Sequence, residues 1–258
     1  MKIVVCVKHV PEASDAKFAD DYTVDRASID GALSELDEYA IEQALRLTES
    51  GVDAEITHLT MGPAAATDAV RKALAMGGDK AVHVVDDALH GSDAPATALV
   101  LARAIERAGF DLVVCGMASG DATMSVVPAM LAERLGVPQV TFASHLSVAD
   151  GMVRIRRDGD FASEQIEAPL PAVVSVTDQT GEARVPSFRG IMAAKKKPIE
   201  QWSLADLGVS PDEVGLAAAW TKVESATRRP PRQAGAIVTD EGEGGMQIAE
   251  FLVTQKFI

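Results

Sequence analysis

Apolar and polar positions alternate in blocks over the first 145 residues of the chain. Runs rich in β-branched residues, typical of strands buried on both faces, occur at 2–10, 54–62, 81–85, 111–117 and 138–144. Stretches with apolar positions at helical spacing separate them, at 37–50, 64–78, 94–109 and 126–136. Strands and helices that alternate with short connections predict an α/β fold on a doubly wound, mostly parallel sheet.

The pattern changes after residue 145. Two alternating stretches around Asp158-Gly159 predict a hairpin over 152–168, and a buried strand returns at 171–178. The composition then becomes rich in Pro, Gly and Glu, before an apolar helical stretch at 246–258. The chain therefore divides into a predicted α/β domain over 1–180, a loop with a short helix over 181–202, and an extended arm over 203–258. We expect the arm to pack on a partner subunit; local docking and disorder are the alternatives.

Charge and composition exclude several classes of function. The 258-residue chain carries a formal net charge of −14, which argues against non-specific nucleic-acid binding because phosphate neutralisation needs a basic face. No apolar run approaches the length of a membrane span, and the first residues lack the features of a signal peptide. We therefore expect a bacterial cytoplasmic protein. Two cysteines without a C-x-x-C spacing and five scattered histidines predict no metal site.

Ligands of doubly wound sheets bind beyond the carboxyl ends of the strands, so the loops there are the predicted functional sites. The loop after the fourth strand, 116–126, contains small residues that let a backbone approach a ligand, and Asp121, Thr123 and Ser125 are suitable helix N-caps. Unpaired N–H groups at the following helix start suit a phosphate, although an ordinary capped helix start is the alternative. Gly62-Pro63 forms a second strand-to-helix turn, and the two turns together could clamp one small nucleotide.

The segment between the first strand and the first helix, 11–37, is long enough to be functional. Its weak alternation predicts a small hairpin. Lys8 and His9 precede it at the crevice, where Lys8 could face a phosphate or a flavin. Asp37 and Glu38 start the helix, and we expect them to complement its dipole.

Several blocks of the sequence, in order and over nearly the whole chain, match motifs of one protein family. "VCVKHVP" resembles V-x-V-K-x-V-P/I, and "DEYAIEQALRLTE" resembles D-E-x-A-x-E-E-A-x-R-L-K-E. "GPAAATDAVRKALAMGGDKAVHV" matches the family's G-P…R-x-A-L-A-M-G-A-D…V block, and "LAERLGVPQVTFAS" matches the stretch after its nucleotide loop. "PAVVSV" and "SFRGIMAAKKKPIE" resemble P-A-V-V-x-V and S/T-L-P-x-I-M-K-A-K-K-K-x-I-E. The chain thereby resembles the β subunit of an electron transfer flavoprotein.

The resemblance implies an adenine-nucleotide-binding, Rossmann-like domain that holds AMP without turning it over. It also implies a heterodimer with an α subunit that carries most of the FAD contacts. The implied AMP site comprises Val7, Lys8, Met61, Gly62, Pro63, Gly116, Ser119, Gly120, Asp121, Ala122, Thr123, Met124, Ser125 and Val126. Ala13 and Leu36 would approach the flavin. The subunit would be an electron carrier without catalytic turnover of its own, because the flavin does the redox chemistry.

The family further implies that 181–202 docks on partner dehydrogenases through an apolar side chain at the loop tip. The implied docking residues are Phe188, Arg189, Gly190, Ile191 and Met192. Phe188 stands where the family usually has Leu, and Arg189 replaces Pro. Lys195–Lys197 would be the polar face of the following helix, near a partner or simply solvated. Electrons would pass from acyl-CoA or other flavin dehydrogenases, as in fatty acid oxidation, to a quinone-linked respiratory acceptor.

The nucleotide loop departs from the family's G-K-Q-x-x-D-G-D-T-x-Q-V-G-P. Here "GMASGDATMSVVP" lacks the Lys and both Gln positions, and Ser34 replaces the usual Asn before the first helix. Some members hold a second FAD in the AMP site and bifurcate electrons; "PEA" in place of their P-D-T argues against this alternative and leaves it open. A universal-stress-type ATP/AMP-binding regulator and an ATP-dependent activating enzyme are further alternatives. Their G-x-x-G-x(9)-G-S/T and S-G-G-x-D-S loops are missing or only faintly echoed.

Overall fold

The computed structural model describes residues 1–11, 17–26, 31–227, 229–231, 235 and 237–258. These residues form two compact units, Met1–Glu224 and Ser225–Ile258. The strands of the first unit are β1 (Lys2–Cys6), β2 (His9–Pro11), β3 (Gly31–Leu33), β4 (Glu55–Met61), β5 (Lys80–Val84), β6 (Leu112–Gly116), β7 (Gln139–Ala143), β8 (His145–Ala149), β9 (Met152–Asp158), β10 (Ser163–Pro169), β11 (Ala172–Val176) and β12 (Ile199–Trp202). Its helices are α1 (Glu35–Glu49), α2 (Ala66–Met76), α3 (Ala94–Ala108), α4 (Val127–Leu135), α5 (Phe188–Ala194) and α6 (Gly215–Ala218).

Seven strands form one parallel sheet in the order β12-β5-β4-β1-β6-β11-β7. The chain adds β4 and β5 on one side of β1, then crosses over to place β6 on the other side. The strand order therefore reverses between β1 and β6, and such a reversal opens a crevice beyond the carboxyl ends of the two strands. This confirms the predicted α/β fold with a doubly wound, mostly parallel sheet.

Helices cover both faces of the large sheet, and each face has its own core. Side chains of α1 and α2 pack with Ile3 and Val5 on one face, whereas α3 and α4 pack with Val4 and Val113 on the other. Successive residues of β1 point to opposite faces, so a strand buried on both sides must be apolar throughout. Burial on both faces of the sheet therefore explains the continuous β-branched runs in the sequence.

The first predicted strand, 2–10, is divided in the structure. β1 ends at Cys6, and β2 leaves the sheet to pair antiparallel with β3. Beyond them, a single antiparallel bridge joins Phe18 to Val24, with Ala19 N–H donating to the Thr23 carbonyl at 2.8 Å. The small hairpin predicted in this segment is thus confirmed over its described residues.

Besides β3, two further strands outside the first predictions complete the fold. The predicted hairpin at 152–168 is confirmed as β9 and β10, and β8 adds a third antiparallel strand to it. β12 pairs parallel with β5 at the edge of the large sheet, with Ile199 opposite Ala81. The sequence pattern predicted only a short helix before this point, and a four-residue strand is too short to show a period of its own.

The first unit extends past residue 203, where the sequence places the start of the arm. Leu204, Leu207, Val209 and Val214 are buried in the core shared by α3 and α4. The second unit, taken by itself, contains α7 (Gly244–Thr254), which lies within the predicted apolar stretch. The large apolar side chains of this helix are exposed: Met246, Ile248, Phe251 and Val253.

Candidate functional site

The crevice between β1 and β6 opens where their hydrogen-bond ladder stops. The register of the two strands ends at Val5 opposite Val114. Beyond that point the Lys8 N–H donates to Asp37 Oδ2 at 2.8 Å, and the Gly116 N–H also donates to Asp37. The first turn of α1 therefore supplies the acceptor that the diverging strands no longer give each other. Only glycine fits at position 116, because a Cβ there would lie 2.6 Å from Asp37 Oδ1.

Lys8 joins the end of β1 to the loop after β6. Its Nζ donates to Asp121 Oδ1 at 2.7 Å and to Ser119 Oγ at 3.1 Å. Arg26, from the small hairpin, forms a second ion pair with Asp121 and donates to the His9 carbonyl at 3.0 Å. Burial by itself would raise the pKa of Asp121, but the charge and hydrogen bond of Lys8 outweigh it and hold that pKa well below its ordinary value. The structure thus brings together Lys8, at the end of the first strand, with Ser119 and Asp121, in the loop after β6. The sequence analysis had singled out these two regions separately.

The loop 117–126 presents backbone N–H groups at the start of α4. The predicted side-chain caps are wrong: α4 begins after Val126, and none of the described side chains caps it. Asp121 instead accepts the adjacent Ala122 N–H at 2.8 Å. Thr123 and Ser125 both have positive φ angles, of 50° and 57°, which non-glycine residues adopt rarely. The N–H groups in the first turn of α4 are therefore left without a side-chain cap from the described residues.

The tip of this loop is accessible. Gly120, Ala122 and Met124 are exposed, and a Cβ at Gly120 would meet no atom within 4 Å. The tip of the loop therefore faces solvent.

The turn after β4 lies one strand farther along the same edge. Met61 ends β4, and the Gly62 N–H donates to the Val84 carbonyl at 3.1 Å. The buried His83 stabilises the turn through a contact of 3.1 Å between its Nε2 and the Gly62 carbonyl. Burial lowers the pKa of His83, which favours the neutral ring. Pro63, the next residue, is exposed. The turn therefore forms one wall of the crevice.

The start of α1 forms the opposite wall. The Ser34 N–H donates to the Lys8 carbonyl at 2.9 Å, which ties the helix to the end of β1. Val7, just before, is buried and donates to the Leu59 carbonyl at 2.8 Å. Leu36 is half-buried beside Gly116, and the Ser34 hydroxyl is buried with no partner among the described residues. Ala13, the other residue expected near a flavin, lies outside the described residues.

Two residues of this site were missed by the sequence reasoning. Arg26 lies in the long segment before α1, where no motif distinguishes it. Asp37 does lie in the first turn of α1, as predicted, but it is buried and binds two strand ends. Burial raises the pKa of the Asp37 carboxyl to about 7, against the opposing effects of the Lys8 hydrogen bond and charge. In a sequence, a carboxylate at the start of a helical pattern indicates a cap or a dipole contact. That Asp37 instead joins two strand ends is shown only by its buried position in the folded structure.

Apart from the crevice, a second candidate functional site is the loop that carries α5. Ser187 caps this helix by accepting the Gly190 N–H at 3.0 Å. Phe188, at the tip, is 81% exposed, and Ile191 and Met192 are 44% and 46% exposed. A contiguous apolar tip of this kind, with Arg189 exposed beside it, is typical of a contact surface.

The base of this loop is tied to α1 by charged groups. Arg184 contacts Glu42 at 2.7 Å and Glu49 at 2.7 Å, and Arg46 contacts Glu42 at 2.8 Å. Burial alone would raise the pKa of Glu42, but hydrogen bonds from Arg184 and Arg46 lower it below its ordinary value. The arginines thus restrain the loop while its tip stays exposed.

The helix α5 is also seated on α2. A Cβ at Gly190 would clash with the Ala75 carbonyl, so the glycine permits the close approach. Lys197 Nζ donates to the Leu74 carbonyl at 3.0 Å, and Arg71 contacts the Lys197 carbonyl at 3.1 Å. The prediction that Lys195–Lys197 form one polar helical face is wrong, because α5 ends at Ala194 and Lys197 points inward. Burial lowers the pKa of Lys197, as expected for a structural contact.

The chain was compared with known proteins. Residues 21–207 match the electron transfer flavoprotein domain family. The chain is 48% identical over 263 residues to the electron transfer flavoprotein subunit beta of Mycobacterium leprae (strain TN), covering 99% of both chains. The protein of that name from Mycobacterium tuberculosis (strain ATCC 25618 / H37Rv) shows the same identity and coverage. The Megasphaera elsdenii protein of that name is 34% identical over 270 residues, covering 100% of both chains.

The similarity therefore spans both units of the chain as well as the crevice and the loop. Within the part of the chain that the structure describes, no helix is long and apolar enough to cross a membrane.

Proposed function

The chain belongs to the electron transfer flavoprotein family as a β subunit that takes part in electron transfer, and from this premise we propose the ligands, partners and route. It binds one AMP structurally in the crevice between β1 and β6. It shares one FAD with an α subunit in a heterodimer. It passes electrons from flavin dehydrogenases to a quinone-linked respiratory acceptor, in the cytoplasm of a bacterium, without catalytic turnover of its own.

The observation that carries the AMP proposal is the position of Lys8. Its ammonium group lies at the switch in strand order, within 3.1 Å of Ser119 in the loop that leads to an uncapped α4. A cation and the N–H groups of a helix start are the two elements that bind phosphates. Ser119 to Val126 would hold the phosphate, and Val7 and Met61 to Pro63 would flank the adenine, with Gly116 behind them.

The flavin proposal rests on the family and on the wall formed by the start of α1. Leu36 is the described residue that would face the flavin, and Ala13 is proposed beside it. When bound, the FAD supplies the chemistry of electron transfer. The residues of this chain would position the ring and exclude water from one side.

The docking proposal concerns the exposed tip of the α5 loop. An exposed Phe ringed by polar groups suits the apolar pocket of a partner, where such anchors dominate the binding energy. Phe188 would enter the pocket of a dehydrogenase, and Ile191 and Met192 would line its rim. Arg189 and Gly190 would complete the contact. Of the predicted arm over 203–258, the part beyond Glu224 is proposed to clasp the α subunit, with the exposed apolar side chains of α7 as the contact.

The test is to co-purify the chain with its α subunit, release the nucleotides with acid and count them by chromatography. One FAD and one AMP per heterodimer is the expected result. Two FAD and no AMP would replace the proposal with the bifurcating alternative. Neither flavin nor AMP would overturn the flavoprotein proposal and favour a nucleotide-binding regulator.

A further inference from the structure

Two carboxylates lie at the crevice, and their surroundings differ. Asp121 is in direct contact with the cationic side chains of Lys8 and Arg26. Asp37 is buried behind it, and its partners among the described residues are the backbone N–H groups of Lys8 and Gly116. Lys8 directs its ammonium group toward Ser119 and Asp121, so the charge of Asp37 is compensated by backbone N–H groups and by the Lys8 charge without a side-chain ion pair.

The charges at the crevice balance before any ligand is added. Lys8 and Arg26 contribute two positive charges, and Asp121 and the ionised form of Asp37 contribute two negative charges. A bound phosphate adds negative charge, and a nearby anion raises the pKa of a carboxyl group. Asp121 keeps its charge because it forms ion pairs with Lys8 and Arg26. The added negative charge therefore raises the pKa of Asp37 instead.

Other titratable groups face the same region. The Cys115 thiol interacts electrostatically with Asp37; its hydrogen bond with Cys6 and its burial raise its pKa, so it stays protonated. His9 lies near Arg26, and burial together with that charge lowers the pKa of its ring. Among these groups, Asp37 has a pKa of about 7 and therefore titrates closest to neutral pH.

We propose that Asp37 is a proton-binding site coupled to the crevice: it takes up one proton from solvent when an anionic ligand binds. The inference rests on the nucleotide site proposed above. The proton adds to a carboxylate oxygen of Asp37 and no other bond changes. The uptake keeps the buried charge in balance, so the affinity for an anionic ligand increases as the pH falls through the neutral range.

The test is calorimetric titration of AMP into the full-length chain with its α subunit, after bound AMP has been removed, at pH 7.5 in two buffers of different ionisation enthalpy. The difference between the two heats gives the number of protons exchanged. If bound phosphate raises the pKa of Asp37 by about one pH unit, uptake of about half a proton per AMP is expected. Adenosine, which lacks the phosphate, should bind without this uptake.

Variants assign the proton to a residue. Asp37→Asn should bind AMP with no uptake, whereas His9→Gln should retain the uptake of the wild type. AMP binding without uptake, or uptake lost in His9→Gln and kept in Asp37→Asn, would overturn the coupling alone. Absence of AMP binding to the wild type would overturn the proposed nucleotide site and the coupling with it.

A measurement on the wild type covers the case in which Asp37→Asn does not fold. The carboxyl carbon of Asp37 can be titrated by ¹³C NMR with and without saturating AMP. The midpoint should lie near neutral pH and rise when AMP is bound. A midpoint that stays unchanged or falls on binding would contradict the proposal.

Discussion

The crevice and the α5 loop, proposed to bind a nucleotide and a protein partner, are built in opposite ways. At the crevice, charged side chains are partly buried and paired with one another, as Lys8, Arg26 and Asp121 are. At the loop, an apolar side chain is exposed at the tip, and the charged groups lie at the base, where Arg184 contacts Glu42 and Glu49.

The difference is what the size and charge of the two proposed ligands would require. A small anionic ligand needs donors that are already in place, because water must be displaced without leaving charges unpaired. A protein partner supplies its own apolar pocket, so one exposed anchor on a restrained loop suffices. Substitutions at the tip should therefore change recognition without changing the fold, whereas substitutions at the charged groups should change both.

The largest effect is expected at the tip. Phe188→Ala should lower the rate of electron transfer from the partner dehydrogenase by about 30-fold or more, since anchors of this kind contribute about 2 kcal/mol or more. Flavin content and thermal stability should stay unchanged because the side chain is 81% exposed. Steady-state kinetics with varied dehydrogenase measures the effect. Phe161→Ala, a fully exposed Phe in the turn between β9 and β10, is the control and should transfer electrons normally. A normal rate in Phe188→Ala would remove the docking role of the tip.

An intermediate effect is expected at the crevice. Lys8→Met should weaken AMP binding by about tenfold, because a charge-assisted hydrogen bond of this kind contributes about 1.5 kcal/mol or more. Calorimetric titration with AMP measures the affinity. Lys222→Met removes an exposed lysine elsewhere and serves as the control for the loss of one positive charge. Equal AMP affinity in the two variants would show that Lys8 does not contact the phosphate.

The smallest effect on electron transfer is expected at the base of the loop. Glu42→Gln should slow transfer only about threefold, since the tip remains intact, but should lower the free energy of unfolding by about 1–3 kcal/mol. The pKa of Glu42 is lowered on folding, so the stability that its charge contributes is present above its ordinary pKa of 4.5 and is lost as the pH falls through the lower folded value. Urea unfolding at pH 7 and at pH 3 measures this difference. A gap between wild type and variant that is as large at pH 3 as at pH 7 would mean that the charge is not the cause.

The comparison also shows what could be predicted from the sequence. The proposed docking tip was predicted from a motif of consecutive residues, and the structure shows Phe188 at that tip exposed. The crevice was found only in part: the loop 116–126 and Lys8 were singled out, while Arg26 and the bridging role of Asp37 were missed. Residues that act through contacts with distant parts of the chain carry no local pattern, because pairing with a distant residue leaves the neighbouring sequence unconstrained.

The sequence by itself determined the class of the fold and the elements that build it. Apolar runs buried on both faces can only be central strands, and the helical stretches between them must cover the sheet. Tertiary structure decided which strands are neighbours and which side chains therefore meet. Lys8 and Asp121 are 113 residues apart in the chain and 2.7 Å apart at the switch between β1 and β6. The near-neutral pKa of Asp37 is likewise a product of burial, which no local sequence pattern encodes.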